Sequence, residues 1–379
     1  MTYTDRRSFL LGSAAALGSA SAPSQTTREI RTAFIGTGVR GKSLLTQALE
    51  QPGVRAAAVC DTAPVALDAA LSLARRDTPR SFTDYRRVAE LKDLEAVFIA
   101  TPCDLHAEMT VACLEAGKYV YLEKPLAITP EGVDSILKAA RKSKAFLQIG
   151  QQMRYYPWLR APISRILRDK IIGKVLLIKA QRHSTASPPG EDKENLRAWY
   201  YDVKRSGDRI VENGVHNIDV CNWIADSRPV SAFGFGKVYL PDPIPAGTRY
   251  MDGYSIMYQY ENEVNLTYSE ARLHPAGLKE LAGGQWWVAF GEKGAVTMKR
   301  DSGLLYGMWE KGEPRELIPP ADQGLKENAV ADFFACIREG RQPFADLRVA
   351  AIAALTTIMG REAIYRKRMV TWKELGVTV

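Results

Sequence analysis

Between Thr32 and Gly150, short apolar runs alternate with stretches of helical period, and that alternation admits very few architectures. The runs T-A-F-I, A-A-A-V-C, A-V-F-I-A, Y-V-Y-L ending at Leu122 and F-L-Q-I ending at Ile149 are each separated by enough residues for a crossover helix. Parallel strands need such crossovers, so the pattern predicts a parallel sheet flanked by helices and closing near Gly150. Beyond Gly150 the texture changes. V-L-L-I-K-A-Q-R-H at 175–183, Y-S-I-M-Y-Q-Y at 254–260 and V-N-L-T-Y-S-E at 264–270 alternate with period two and predict antiparallel strands. Two helices are expected after them, from Lys326 to Glu339 and from Leu347 to Arg366, packing back on the sheet. A chain of 379 residues exceeds what one core usually serves, so two domains are expected, 31–150 and 151–379.

Gly36-Thr37-Gly38-Val39-Arg40-Gly41 follows the first strand directly and opens a helix. Such a loop aims backbone amides and a helix N-terminus at a phosphate, and its glycines permit a tight turn, close approach of pyrophosphate and helix–strand contact. Asp61 lies 20 residues beyond Gly41 at the end of the second run, placed to accept hydrogen bonds from the adenine ribose. These features predict an α/β chain whose first unit is a Rossmann dinucleotide-binding domain. NAD is preferred over NADP, because Asp61 repels a 2′-phosphate and no arginine follows it closely. Extended through Lys42 and Ser43, the same stretch also satisfies the phosphate-loop pattern G-x-x-x-x-G-K-S/T, which predicts magnesium-dependent triphosphate hydrolysis with Asp61 on the metal. The strand–helix alternation after Asp61 favours the dinucleotide.

The formal charge is +8, yet 51 basic residues are interleaved with 43 acidic ones along the whole chain. Nucleic acid as a partner calls for basic residues gathered on one element, so it is not expected, while an anionic substrate stays open. Cys60, Cys103, Cys113, Cys221 and Cys336 form no C-x-x-C pair and read as buried small hydrophobes. Residues 1–22 place Arg6 and Arg7 before a short apolar stretch, Phe9 to Leu17, and end in small residues. That order predicts a twin-arginine signal peptide, the export machinery as a transient partner and a periplasmic protein; the stretch is too short for stable membrane insertion.

Four further motifs occur in order: A-T-P-C-D-L-H (100–106), L-E-K-P-L-A (122–127), G-Q-Q-M-R-Y-Y-P (150–157) and S-G-D-R-I-V-E-N-G-V-H-N-I-D (206–219). Together they resemble the Gfo/Idh/MocA oxidoreductases. The resemblance implies a Rossmann domain followed by an α+β domain with an open-faced, mainly antiparallel sheet, and a sugar, polyol or glycoside held between nicotinamide and sheet. It implies Lys124, His216 and Glu212 as the catalytic group, with Glu212 where many members carry aspartate. Thr101, Pro102, His106, Glu123, Lys124 and Arg154 would border the cofactor, and Lys124, Arg154, Asn213 and His216 the substrate. A homodimer or homotetramer through the open sheet is also implied. Asp208 sits where a third glycine is frequent, and this departure, with Glu212, leaves the substrate open.

The residues support these roles on their own terms. Alcohol oxidation needs a base for the hydroxyl proton while hydride leaves carbon. A buried lysine beside a cationic ring can have its pKa lowered enough to serve, and His216 is the alternative. If 210–224 is one helix, Glu212, His216 and Asp219 share a face and a carboxylate orients the imidazole. No third ligand is spaced with Glu212 and His216, so no metal site is expected. Trp199, Tyr200, Tyr201, Tyr155, Tyr156, Trp158, Trp286 and Trp287 either stack on sugar rings or pack in the core. Export without a replenished cofactor pool implies that NAD stays bound. Hydride then passes either to a second substrate or back to the same one, as in a redox-neutral glycoside hydrolase or epimerase. A non-catalytic sugar-binding protein with this fold is the remaining alternative.

Overall fold

The computed structural model describes residues 28–185, 198–240, 250–278, 283–326 and 328–379. Residues 1–22, read above as a signal peptide, lie outside them.

The first unit alternates β1 (Ile30–Ile35), α1 (Val39–Leu49), β2 (Val54–Cys60), α2 (Pro64–Leu73), β3 (Arg80–Phe82), α3 (Tyr85–Ala89), β4 (Ala96–Ile99), α4 (His106–Glu115), β5 (Tyr119–Leu122), α5 (Pro130–Lys142) and β6 (Leu147–Ile149). The six strands are all parallel, in the order β3-β2-β1-β4-β5-β6. β4 and β6 are buried throughout, as strands covered on both faces must be. Thr129 caps α5 by accepting the Gly132 amide at 3.1 Å, with Pro130 in the first turn.

Next come α6 (Pro157–Leu167), β7 (Val175–His183), four short helices α7 (Ala198–Tyr201), α8 (Val203–Ser206), α9 (Arg209–Glu212) and α10 (Val215–Ala225), then β8 (Pro229–Lys237), β9 (Gly253–Tyr260), β10 (Asn265–Ala271), β11 (Gly284–Gly291), β12 (Gly294–Lys299), β13 (Ser302–Gly307) and β14 (Arg315–Glu316). The chain ends with α11 (Ala329–Glu339), α12 (Leu347–Arg366) and β15 (Val370–Thr371). The second sheet runs β14-β13-β12-β11-β7-β10-β9-β8-β15. It is antiparallel except at one place: β7 and β10 are parallel neighbours, because helices α7–α10 and two strands intervene between them.

The two last helices part company. Phe333 and Phe334 of α11 pack on Phe98 and Tyr121 of the first sheet, with ring centroids 5.2–5.7 Å apart. The alanine-rich α12 instead packs on β8, α10 and α5, and so joins the two units. All five cysteines are free and buried. Among the described residues, no helix is long and apolar enough to cross a membrane.

Candidate functional site

The strand order reverses direction between β1 and β4, and a cavity of about 980 Å³ opens there, at the C-terminal ends of the parallel strands. Its wall holds Gly36, Gly38, Val39, Arg40, Asp61, Thr101, Pro102, Glu123, Lys124, Glu212 and His216, all named from sequence. Thr37 and Gly41 shape the loop from behind. Gly36 has φ +80°, and a Cβ there would meet the Ala100 carbonyl oxygen at 2.6 Å; one at Gly41 would meet the Gly36 oxygen at 1.9 Å. A Cβ at Gly38 would meet nothing within 4 Å, so the loop is open toward the cavity where a pyrophosphate would lie.

Asp61 accepts the Thr37 amide at 2.6 Å and the Ala63 amide at 2.9 Å, which fixes its carboxylate at the cavity edge with lone pairs left for a ribose diol. These residues fit a dinucleotide. They do not fit the phosphate-loop reading as well: Ser43 is exposed and accepts from the Gln47 side chain at 3.2 Å, outside the cavity wall.

Glu123 and Lys124 follow β5 directly, and the Lys124–Pro125 peptide is cis. Glu123 accepts from Arg40 Nε at 2.6 Å, and Arg40 also donates to Gln152 Oε1 at 3.0 Å, which ties the glycine loop to the start of the second unit. Lys124 Nζ donates to the Glu212 backbone carbonyl at 2.9 Å and to the Glu212 carboxylate. Burial works against the ammonium, but the Glu212 carboxylate beside it prevails and holds the Lys124 pKa above its ordinary value. The expectation of a lysine with a lowered pKa is therefore reversed here, because a counter-ion from a distant segment accompanies the burial.

His216 behaves oppositely. Burial, reinforced by Lys124, Arg182 and Arg40, pushes its pKa well below the ordinary range, so the imidazole is neutral. Its Nδ1, Glu212 Oε2 and Asn213 Oδ1 are buried with no hydrogen-bond partner. Three unsatisfied polar atoms within five residues mark a place built to meet a polar ligand. Asn213 does not line the cavity wall itself but donates to the hydroxyl of Tyr200, which does, at 3.1 Å.

Four expectations are corrected. Residues 210–224 are not one helix: the chain breaks at Asn213 and Gly214, so α9 and α10 carry Glu212 and His216 on separate turns. Asp219 does not orient His216, because both its oxygens accept from Arg154, at 2.8 and 2.9 Å. Arg154 in turn is withdrawn from cofactor and substrate: it is buried on Asp219, with its guanidinium 5.2 Å from the Trp223 ring centroid. His106 is absent from the wall as well. Its ring nitrogens meet the Pro125 and Thr101 carbonyl oxygens at 2.6 and 3.1 Å, so it positions the two loops that do touch the cavity. Of the aromatics, Trp199 and Tyr200 line the cavity, whereas Tyr155, Trp158 and Trp287 are core.

Sequence reasoning missed Gln152, Arg205, Tyr85 and Arg86 on the wall. Tyr85 and Arg86 open α3, separated by two residues from the end of β3, and treating every C-terminal strand end as a wall would have found them.

Residues 30–151 match the family model "Oxidoreductase family, NAD-binding Rossmann fold", and residues 162–297 match the "GFO/IDH/MocA C-terminal domain". The first unit is therefore an NAD-binding domain. The chain is 26% identical over 277 residues to 1,5-anhydro-D-fructose reductase of Ensifer adhaerens, covering 70% of this chain and 76% of that protein. It is 29% identical over 239 residues to inositol 2-dehydrogenase of Salmonella typhimurium, covering 62% of this chain and 66% of the relative. In fold it superposes on levoglucosan dehydrogenase in complex with NADH and levoglucosan with a TM-score of 0.78, at 19% identity, over 91% of this chain and 99% of that one.

Proposed function

The chain belongs to the Gfo/Idh/MocA oxidoreductase family, and on that premise we propose that it interconverts a hydroxyl and a carbonyl on a sugar, polyol or glycoside, with NAD retained between turnovers. The observation that carries this reading is the convergence of Lys124, Glu212 and His216 on the wall of the same cavity that Gly36, Gly38, Val39 and Arg40 of the glycine loop line. NAD bound along that loop supplies the hydride acceptor. Gly38 would leave room for its pyrophosphate, and Asp61, held by the Thr37 amide, would accept from its ribose, which favours NAD over NADP.

The protein's own groups divide the proton chemistry. The ammonium of Lys124, kept charged by Glu212, donates to the reacting oxygen and stabilises negative charge developing there. Neutral His216 takes the hydroxyl proton, and in the reverse direction returns it. Trp199 and Tyr200 supply faces for a sugar ring, and Asn213 fixes the Tyr200 hydroxyl. Export by the twin-arginine route, from Arg6 and Arg7, and a periplasmic location account for a retained cofactor. The outer face of the second sheet, with Phe235 and Met257 exposed, supports a homo-oligomer through that sheet.

The test begins with protein purified without added nucleotide, denatured, and its small molecules identified by mass spectrometry. Stoichiometric NAD(H) is expected, followed by NADH formation from myo-inositol or levoglucosan, or NADH consumption with 1,5-anhydro-D-fructose. An empty protein that also fails to bind NADH overturns the reading. Retained NAD(H) with glycoside cleavage and no net redox change would replace the oxidoreductase with the redox-neutral enzyme.

A further inference from the structure

Asp208 heads the turn that ends in Glu212, and its backbone stands at φ +82° and ψ 159°. That region is one glycine enters freely and a residue with a Cβ enters only when its surroundings force it. The preceding Gly207 is also left-handed, at φ +79°, and a Cβ there would meet Ile128 Cβ at 2.8 Å. A glycine pair would relax this turn, yet the second position carries an aspartate that is fully buried.

Its contacts show what the side chain holds. The carboxylate accepts the Met251 amide at 3.3 and 3.4 Å, just before β9, and the Tyr365 hydroxyl at 2.5 Å, near the end of α12. Its backbone carbonyl accepts the amides of Val211 at 3.0 Å and Glu212 at 2.9 Å. The charged groups facing it are committed elsewhere. Arg361 of α12 donates to the Gly207 and Ile128 carbonyls, each at 3.0 Å, and pairs with Glu362; Arg209 pairs with Glu270 of β10 at 2.8 Å. Among the described residues no cation stands within ion-pair distance of Asp208. A buried carboxylate without a counter-ion, on a strained backbone, is a poor way to stabilise a fold. What it does accomplish is to fix the turn whose last residue meets Lys124.

We propose that Asp208 is a positioning residue for the Lys124–Glu212 pair, tying the α9 turn to α12 and to the start of β9 so that the Glu212 carboxylate stays on the Lys124 ammonium. The contact with Lys124 is a property of the fold, and only its catalytic consequence rests on the function proposed above.

The test reads the lysine directly. Competitive acetylation of the full chain with acetic anhydride across pH, resolved by mass spectrometry, reports how much of each lysine is free amine. Lys118 serves as the internal control: it is buried in the first unit, with Nζ donating to the Leu91 and Leu94 carbonyls. In Asp208→Gly, which relieves the backbone, Glu212 drifts and burial lowers the unpaired Lys124, so its acetylation near pH 8 is expected to rise about tenfold with Lys118 unchanged. Tyr365→Phe, which removes one tether only, is expected to give a smaller rise, about threefold. Lys124 labelling within about twofold of the native chain in both variants overturns the proposal. So does a parallel rise at Lys118, which would mean that Asp208 merely holds the fold together. No turnover enters this measurement, so failure of every sugar assay would count against the oxidoreductase and leave the positioning role to stand or fall by itself.

Discussion

One ammonium, that of Lys124, serves two acceptors of a single residue 88 positions later, the carbonyl and the carboxylate of Glu212. The pair spans the two units, since Lys124 follows β5 of the parallel sheet and Glu212 ends α9 beneath the antiparallel one. Neither partner is more than slightly exposed, at 13% and 8% of the side chain, so the buried ammonium depends on the carboxylate for its charge.

From this pair comes the first prediction. Lys124→Met is expected to lower kcat at least about 100-fold while leaving NADH affinity within about twofold, because the glycine loop and Asp61 are untouched. Glu212→Gln is expected to lower kcat as well, since it strips the ammonium of its counter-ion. Stopped-flow turnover and NADH fluorescence titration separate the two quantities. A Lys124→Met protein with native kcat would remove the lysine from the chemistry.

Two buried groups impose opposite pH signatures on stability. Burial raises Asp208 from 3.8 to about 6, so between these values the folded chain binds more protons than the unfolded one. Its contribution is therefore most favourable at acid pH and falls as pH rises toward 6 and beyond. Asp208→Asn is expected to be more stable than the native chain at pH 8, by roughly 1–2 kcal/mol, with the difference vanishing near pH 4. His216 has its pKa depressed, so its contribution is present above the unfolded value of 6.5 and is lost as pH falls below it. Denaturant titrations of the native chain, Asp208→Asn and His216→Gln at pH 4, 6 and 8 check both signs.

Arg154 and Asp219 give a prediction about stability with no direct effect on chemistry. Their side chains are 8% and 1% exposed and share two hydrogen bonds. Arg154→Met strands a carboxylate in the core and is expected to cost about 3–5 kcal/mol. Arg154→Met with Asp219→Leu removes both charges and should recover most of that. Unfolding midpoints in urea decide it, and a single variant as stable as the double one would show the pair to be dispensable.

How these pairs formed also shows what was legible beforehand. The Gly36–Gly41 loop and Asp61 were readable because their spacing is local: strand end, turn and helix start act within six residues, and the ribose partner lies one crossover away. Glu212, His216 and Asp219 misled for the same reason. Helical spacing put them on one face, but the helix is interrupted at Asn213–Gly214, between Glu212 and His216, and the partner of Asp219 comes from 65 residues upstream. The protonation of Lys124 turns on a carboxylate 88 residues distant, which no window of sequence contains. The parallel pairing of β7 and β10 is likewise invisible to alternation, which fixes the face of a strand but not its neighbour.

The adenosine end of the cavity offers a test of cofactor choice. Asp61 stands there with Thr62, Thr83, Asp84, Tyr85 and Arg86 on the same wall. The Arg86 guanidinium lies 4.6 Å from the Tyr85 ring centroid and 3.3 Å from the Asp84 carboxylate, so it is pre-placed but already neutralised. Against a 2′-phosphate the native wall thus presents the Asp61 carboxylate and a cation that is spoken for. Asp61→Ser removes the repulsion and the ribose acceptor together, and is expected to weaken NADH by about tenfold. Adding Asp84→Asn releases Arg86, and the double variant is expected to shift the NADPH-to-NADH affinity ratio by at least about 100-fold toward NADPH. Fluorescence titration of both reduced cofactors measures the ratio. A double variant that weakens the two cofactors equally would mean that Arg86 does not reach the 2′ position, and that discrimination rests on Asp61 alone.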